Sequence, residues 1–148
     1  MAAIDHTVHV DASREVVFDV MTDHLAYPDF TPMRKAKLEK EGDPAPNGIG
    51  AIRKFKMLPL GPAIREEVIG YDAPATMSYK LLSGLPLKDH VGTITLLEAN
   101  EGGTELRYHV ESEPKLPVAK FIPRAITRKA ISDLANGIKK EAEKRARD

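Results

Sequence analysis

The chain opens on an alternation. Ile4, His6, Val8 and Val10 hold one phase, with Asp5, Thr7 and His9 in the other, which is the pattern of a half-buried strand. Ser13 then predicts a helix start at Arg14. Its hydroxyl suits the cap position, and Glu15 suits the positive end of the helix dipole. Val16, Val17, Phe18, Val20 and Met21 give that helix an apolar side. From His24 to Pro32, the prolines at 28 and 32 restrict the chain to a short helical turn and a loop.

A run of six strands is predicted next. Met33–Lys40 sets Ala36 and Leu38 between charges, and Gly42–Gly48 is a turn. In Ala51–Met57, Ala51, Arg53, Phe55 and Met57 alternate with Ile52, Lys54 and Lys56. Ala63–Tyr71 follows and ends at Asp72-Ala73-Pro74. Met77, Tyr79 and Leu81 mark the next strand, and Lys88–Ala99 a longer one ended by Asn100-Glu101-Gly102-Gly103. Thr104–Ser112 has the clearest phase, with Leu106, Tyr108 and Val110 inward and Glu105, Arg107, His109 and Glu111 outward. Polar outward positions predict an antiparallel sheet with one wet face.

The period then changes. Val118, Ile122, Ile126, Ala130, Leu134, Ile138 and Ala142 recur every four residues, and Ile131 widens the stripe. This predicts an amphipathic helix of about seven turns. Pro123 either kinks it or begins its main part. Such a stripe needs an apolar partner, and the inner face of the strands is the only large one available. The expectation is an α+β fold in which a seven-stranded curved antiparallel sheet wraps a long C-terminal helix. Two short helices follow the first strand, and residues 1–148 form a single ligand-binding domain.

Composition narrows the function classes. A chain of 148 residues can form a core without staples. Cysteine is absent, which removes disulfides, thiolate ligands and cysteine nucleophiles, and fits a cytoplasmic setting. No apolar run has the length of a membrane span, and the alternating N-terminus does not read as a signal peptide. Lys plus Arg equals Asp plus Glu, 22 against 22, so no general attraction to nucleic acid is expected. Lys120, Arg124, Arg128, Lys129, Lys139, Lys140, Lys144, Arg145 and Arg147 gather on the last helix, interspersed with acids and without aromatic residues, as a solvated face.

Catalytic motifs are not evident. His6, His9, His24, His90 and His109 show no metal-ligand spacing, so no metal and no cofactor is expected. Ser78, Ser83, Ser112 and Ser132 lack a nucleophile elbow. Gly48-Ile49-Gly50 opens a strand and lacks the third glycine of a phosphate loop.

The element order, with Val16-Val17-Phe18-Asp19 after Ser13 and Tyr27-Pro28-Asp29-Phe30 beyond, resembles the START/Bet v 1-like helix-grip superfamily. The polyketide cyclase/dehydrase-type bacterial members are the nearer likeness. Glu67 in the fourth strand, Asp72-Ala73-Pro74 and Gly103-Thr104-Glu105-Leu106 also resemble that family. The resemblance covers nearly the whole chain. It implies the helix-grip fold and a ligand cavity without implying one chemistry.

Arg53 carries the main polar expectation. Its strand neighbours are apolar, and an inward arginine needs a partner. A hairpin centred on Leu60 would set it opposite Glu67. The functional expectation is a polar spot in an apolar cavity, able to orient a ligand carbonyl or carboxylate; the alternatives are a structural ion pair or an inverted phase that leaves Arg53 in water. Tyr79 and Tyr108 sit on the inner face, where a hydroxyl seeks a partner. His90 joins them if its strand runs His90, Gly92, Ile94, Leu96 inward, while the phase Val91, Thr93, Thr95, Leu97 is nearly as good. Phe55, Met57, Leu60, Leu87, Ile122 and Ile126 complete the expected ligand contacts.

Three functions compete. The first is a binder or carrier of a hydrophobic small molecule, such as a lipid, a polyketide or an isoprenoid-like compound. The second is a polyketide aromatase/cyclase or dehydratase, with Arg53, Glu67, Tyr79 and Tyr108 orienting substrate and moving protons. The third is a protein-interaction module such as a quinone chaperone. In a meander, alternate turns share one end. Leu58-Pro59-Leu60-Gly61-Pro62, Leu85-Pro86-Leu87 and Leu116-Pro117-Val118 therefore converge, with Phe121 near them. Apolar loops there suggest a cavity mouth, or transient contact with a membrane during transfer. The resemblance implies lids, since related plant hormone receptors use the same two hairpins in that way.

Overall fold

The N-terminal alternation becomes strand β1 (Ala2–Val10), with Ile4 and Val10 buried. A computed structural model describes residues 2–114 and 124–148. Helix α1 (Arg14–Thr22) starts where the cap predicted, with Ser13 Oγ accepting from the Val16 N–H at 3.3 Å. Its residues Val17, Phe18, Val20 and Met21 are in the core. A 3₁₀ turn (His24–Ala26) leads into α2 (Tyr27–Phe30), with Pro28 in the first turn. The Tyr27 hydroxyl donates to the Met21 carbonyl and ties this segment down.

Six strands follow: β2 (Lys35–Lys40), β3 (Ile52–Lys56), β4 (Ile64–Asp72), β5 (Thr76–Ser83), β6 (Leu87–Glu98) and β7 (Thr104–Pro114). They form one antiparallel sheet in the order β1-β7-β6-β5-β4-β3-β2. Consecutive strands neighbour each other, and the helical segment after β1 carries the chain across to the far edge at β2. The result is an open, curved sheet. Bulges in the β2–β3, β4–β5 and β6–β7 pairs bend it, because each inserts an unpaired residue that raises local twist. Helix α3 (Arg124–Arg147) lies against β1, β7, α1 and α2, which completes the helix-grip α+β fold.

The packed stripe of α3 differs from the four-residue series. Ile131, Ala135, Ile138 and Ala142 are buried, while Ile126 is 60% exposed and Ala130 is exposed. Steps of four overshoot the 3.6-residue turn, so a strict series drifts around the helix. Alternating steps of four, three and four hold one face. Val118 and Ile122 of that series lie outside the described residues, as do Pro123, the segment Leu116-Pro117-Val118 and Phe121.

Candidate functional site

Between the sheet's inner face and α3 lies a cavity of about 650 Å³. That is within the usual range for small-molecule sites. Phe55 from β3, Met57 just beyond its end, Met77 from β5, Ile94 from β6, Val110 from β7 and Leu134 from α3 give it mostly apolar walls. Leu85 and Pro86 from the β5–β6 turn, Leu87 at the start of β6 and Ile126 from the start of α3 line it and are also half-buried or exposed.

A small polar centre interrupts these walls. Arg53 is inward and only 2% exposed, so the alternative of an inverted phase that leaves it in water is excluded. Its partner is Glu66, not Glu67: Arg53 Nη2 donates to Glu66 Oε1 at 2.6 Å. The β3–β4 register pairs Arg53 with Glu66 and Ile52 with Glu67. The hairpin therefore centres between Pro59 and Leu60 and not on Leu60. A one-residue shift in a strand exchanges the two faces. Glu67 accordingly lies on the other side of the sheet, 3.7 Å from Lys80 Nζ, and does not line the cavity. Leu60 is 85% exposed and is not a cavity residue either.

The second Arg53 contact was not foreseen. Nη1 donates to His24 Nε2 at 2.5 Å. Arginine has no acceptor, so His24 must accept through Nε2 and carry its proton on Nδ1. Burial, followed by the Arg53 charge, lowers the His24 pKa well below its ordinary value, which keeps the ring neutral. Burial pushes the Glu66 carboxyl up, and Arg53 pulls it partly back. The guanidinium also sits 5.1 Å from the Tyr79 ring centroid and 5.3 Å from that of Phe55, where the ring faces favour a cation.

Tyr79 and Tyr108 meet across the sheet, hydroxyl to hydroxyl. Burial raises both phenols, so they stay protonated. Gly92 makes the contact possible. It pairs with Tyr79, and a Cβ there would come 2.3 Å from Tyr79 Cζ. The ring occupies the space of the missing side chain.

The phase of β6 is His90, Gly92, Ile94, Leu96 inward. Strict alternation would turn Lys88 inward as well. A bulge prevents this: Lys88 pairs with Glu113 and Val91 with Glu111, so Asp89 and His90 together oppose Ser112. Asp89 takes φ 52 to make the bend. Lys88 is returned to solvent near Glu113, while both Leu87 and His90 line the cavity. His90 is 8% exposed, and its Nδ1 has no hydrogen-bond partner among the described residues. Burial lowers its pKa.

Of the expected site residues, the cavity brings together Arg53, Phe55, Met57, Tyr79, Leu87, His90, Tyr108 and Ile126. Ile122 lies outside the described residues. Sequence reasoning missed Glu66, His24 and Tyr27. Glu66 was within reach of a correct hairpin register, whereas His24 arrives from a turn far away in sequence and carried no signal. No cluster of three or more potential metal ligands exists among the described residues, and no helix there is long and apolar enough to cross a membrane.

Fold and site together define a helix-grip domain whose sheet and terminal helix hold a mainly apolar cavity with a buried polar centre. Within that class, the chain belongs to the polyketide cyclase / dehydrase and lipid transport family, which it matches over residues 1–143. No curated protein sequence matches it significantly. Among solved structures it is similar to a point mutant of norcoclaurine synthase from Thalictrum flavum in complex with a transition state analogue. The identity is 20%, with 97% of this chain and 95% of that chain covered at a TM-score of 0.77. A START superfamily protein from Mycobacterium smegmatis is 18% identical, with 98% and 97% covered and a TM-score of 0.72. The protein XoxI from Bacillus cereus is 16% identical, with 95% of each chain covered and a TM-score of 0.72. At such identities the likeness is one of fold.

Proposed function

We propose that the whole chain acts as one domain that binds or carries a hydrophobic small molecule. The observation that carries this reading is the 650 Å³ cavity, whose walls are mostly apolar and whose few polar groups are gathered in one place. A cavity holding only a few waters would have argued against it. The family's lipid-transport and polyketide members support the same ligand class. The test is purification from the native host, followed by mass spectrometry of the extracted small molecules and titration with the neutral dye Nile red. One apolar molecule per chain, or saturable dye binding, is the expected result. Neither signal from a folded sample would sink the proposal.

A catalytic reading, cyclisation or dehydration of a polyketide-like chain, draws on the same groups. What favours it is that a carboxyl raised by burial and two phenols line the same cavity, groups of the type that exchange protons with a substrate. Glu66 would take the place expected for Glu67. Phenols held this firmly protonated serve as hydrogen-bond donors far better than as bases, so binding remains the stronger reading.

A further inference from the structure

We propose that the cavity selects an uncharged lipophile bearing a hydrogen-bond-accepting oxygen and discriminates against an anionic one of the same size. This rests on the binding reading above and names the ligand class.

Charges and free hydrogens at the polar centre decide the selection. Arg53 is the cation at the polar centre, and Glu66 neutralises it at 2.6 Å. The third member, His24, is held neutral by burial and by Arg53 itself. A carboxylate reaching this polar centre would have to stand beside Glu66 or displace it, and either leaves a buried charge uncompensated; of the other cations that line the cavity, at the start of α3, Lys129 is paired with Asp133 at 2.8 Å and Arg124 donates to the Ala3 carbonyl. Nothing comparable opposes a neutral head. Of the two phenolic hydrogens at the Tyr79–Tyr108 contact, one lies between the two oxygens. The other has no acceptor among the described residues, although both tyrosines line the cavity. Arg53 Nε–H is likewise buried without a partner among the described residues. His90 adds a neutral ring on the same face, with Nδ1 unpartnered and its centroid 6.3 Å from that of Tyr79. Buried donors left unmade are costly, so these hydrogens favour a ligand oxygen that accepts. A carbonyl satisfies them without adding charge.

Decan-2-one and nonanoate test this directly. They have the same number of heavy atoms and differ in the charge of the head. Each is titrated at pH 7 against Nile red bound to the full chain. The ketone is expected to displace the dye at a concentration at least about tenfold lower than nonanoate. In the Tyr79→Phe/Tyr108→Phe double variant, checked for folding by circular dichroism, the ratio by which decan-2-one outcompetes pentylbenzene, a hydrocarbon with the same number of heavy atoms and no oxygen, should shrink about three- to tenfold, because the free phenolic hydrogen is gone whichever tyrosine carried it. Probe affinity cancels in the ratio. Equal or tighter binding of nonanoate overturns the inference, as does an unchanged ratio in the variant. If the unaltered chain binds neither Nile red nor any apolar molecule extracted with it, the binding reading itself is lost and this inference falls with it. The two failures are therefore distinguishable.

Discussion

At the scale of single residues, the buried Arg53–Glu66 pair is where polarity was placed against the grain of an apolar wall. Its two members are not equivalent. A carboxyl that loses its cation can take up a proton, whereas a guanidinium at pH 7 cannot give one up. Glu66→Leu should therefore cost about 3–5 kcal/mol, because Arg53 keeps only a neutral histidine as partner. Arg53→Met should cost less, and the double variant less than Glu66→Leu alone, since apolar groups of similar size replace a buried pair well. The pH dependence follows from the direction of the Glu66 shift, which is already upward with Arg53 present. With Arg53 removed, the folded carboxyl binds its proton at higher pH than the unfolded one. The Arg53→Met protein should then gain stability, relative to the unaltered chain, as pH falls through that raised pKa. Urea unfolding of the three variants at pH 5 and pH 7 reads all of this. Equal losses in both single variants at both pH values would show that the pair is not a coupled buried unit.

At the scale of elements, close approaches of backbone decide positions that propensity alone would misjudge. Gly137 lies in the middle of α3, where alanine normally favours an exposed helix by about 1 kcal/mol. Here a Cβ would stand 2.2 Å from the Phe30 carbonyl oxygen at the end of α2. Backbone cannot swing aside as a flexible side chain can. Gly137→Ala is thus expected to lower stability by about 1–3 kcal/mol in spite of its better propensity, by separating the two helices. Thermal unfolding measures it, and a stabilised variant would mean that the helices have room to spare. The β6 bulge makes the same point for a strand. Leu87 and His90 are three apart and would face opposite sides of a regular strand, yet the extra residue puts both on the cavity.

At the scale of the whole molecule, the cavity lies against the first half of the terminal helix, where the grip of that helix is loosest. The C-terminal part of α3 buries Ile138 and Ala142 against the core, while its first turns, with Ile126 and Ala130, are exposed beside the cavity. The Leu85-Pro86-Leu87 turn lines the cavity near them, and Gly84 at its base packs against the Ala63 backbone. The Leu58–Pro62 turn stands outside, with Leu58 and Leu60 largely exposed. Of the two hairpins expected as lids, the first should therefore respond little to ligand. Hydrogen exchange on the Nile red complex should show added protection at residues 85–87 and at the start of α3, and little change at 58–62. Equal protection at both hairpins would restore the two-lid arrangement, and none at 85–87 would place the entrance elsewhere.

The sequence by itself determined the elements and the class of fold. Period-two alternation marks strands, period 3.6 marks the terminal helix, and Ser13 fixes where α1 begins, all through interactions within a few residues of each other. It also set Tyr79 and Tyr108 on the inner face and Arg53 among apolar strand neighbours, with the phase of the Arg53 strand left open. Only the tertiary structure decided which groups meet on that face. A half-step in the β3–β4 turn exchanged Glu67 for Glu66, because register depends on the backbone path of a turn and not on the strands' own pattern. Two phases of β6 were nearly equal in sequence, and a bulge used parts of both. His24 reaches Arg53 from 29 positions away, a distance over which no local pattern carries information and only the packed chain can choose a partner.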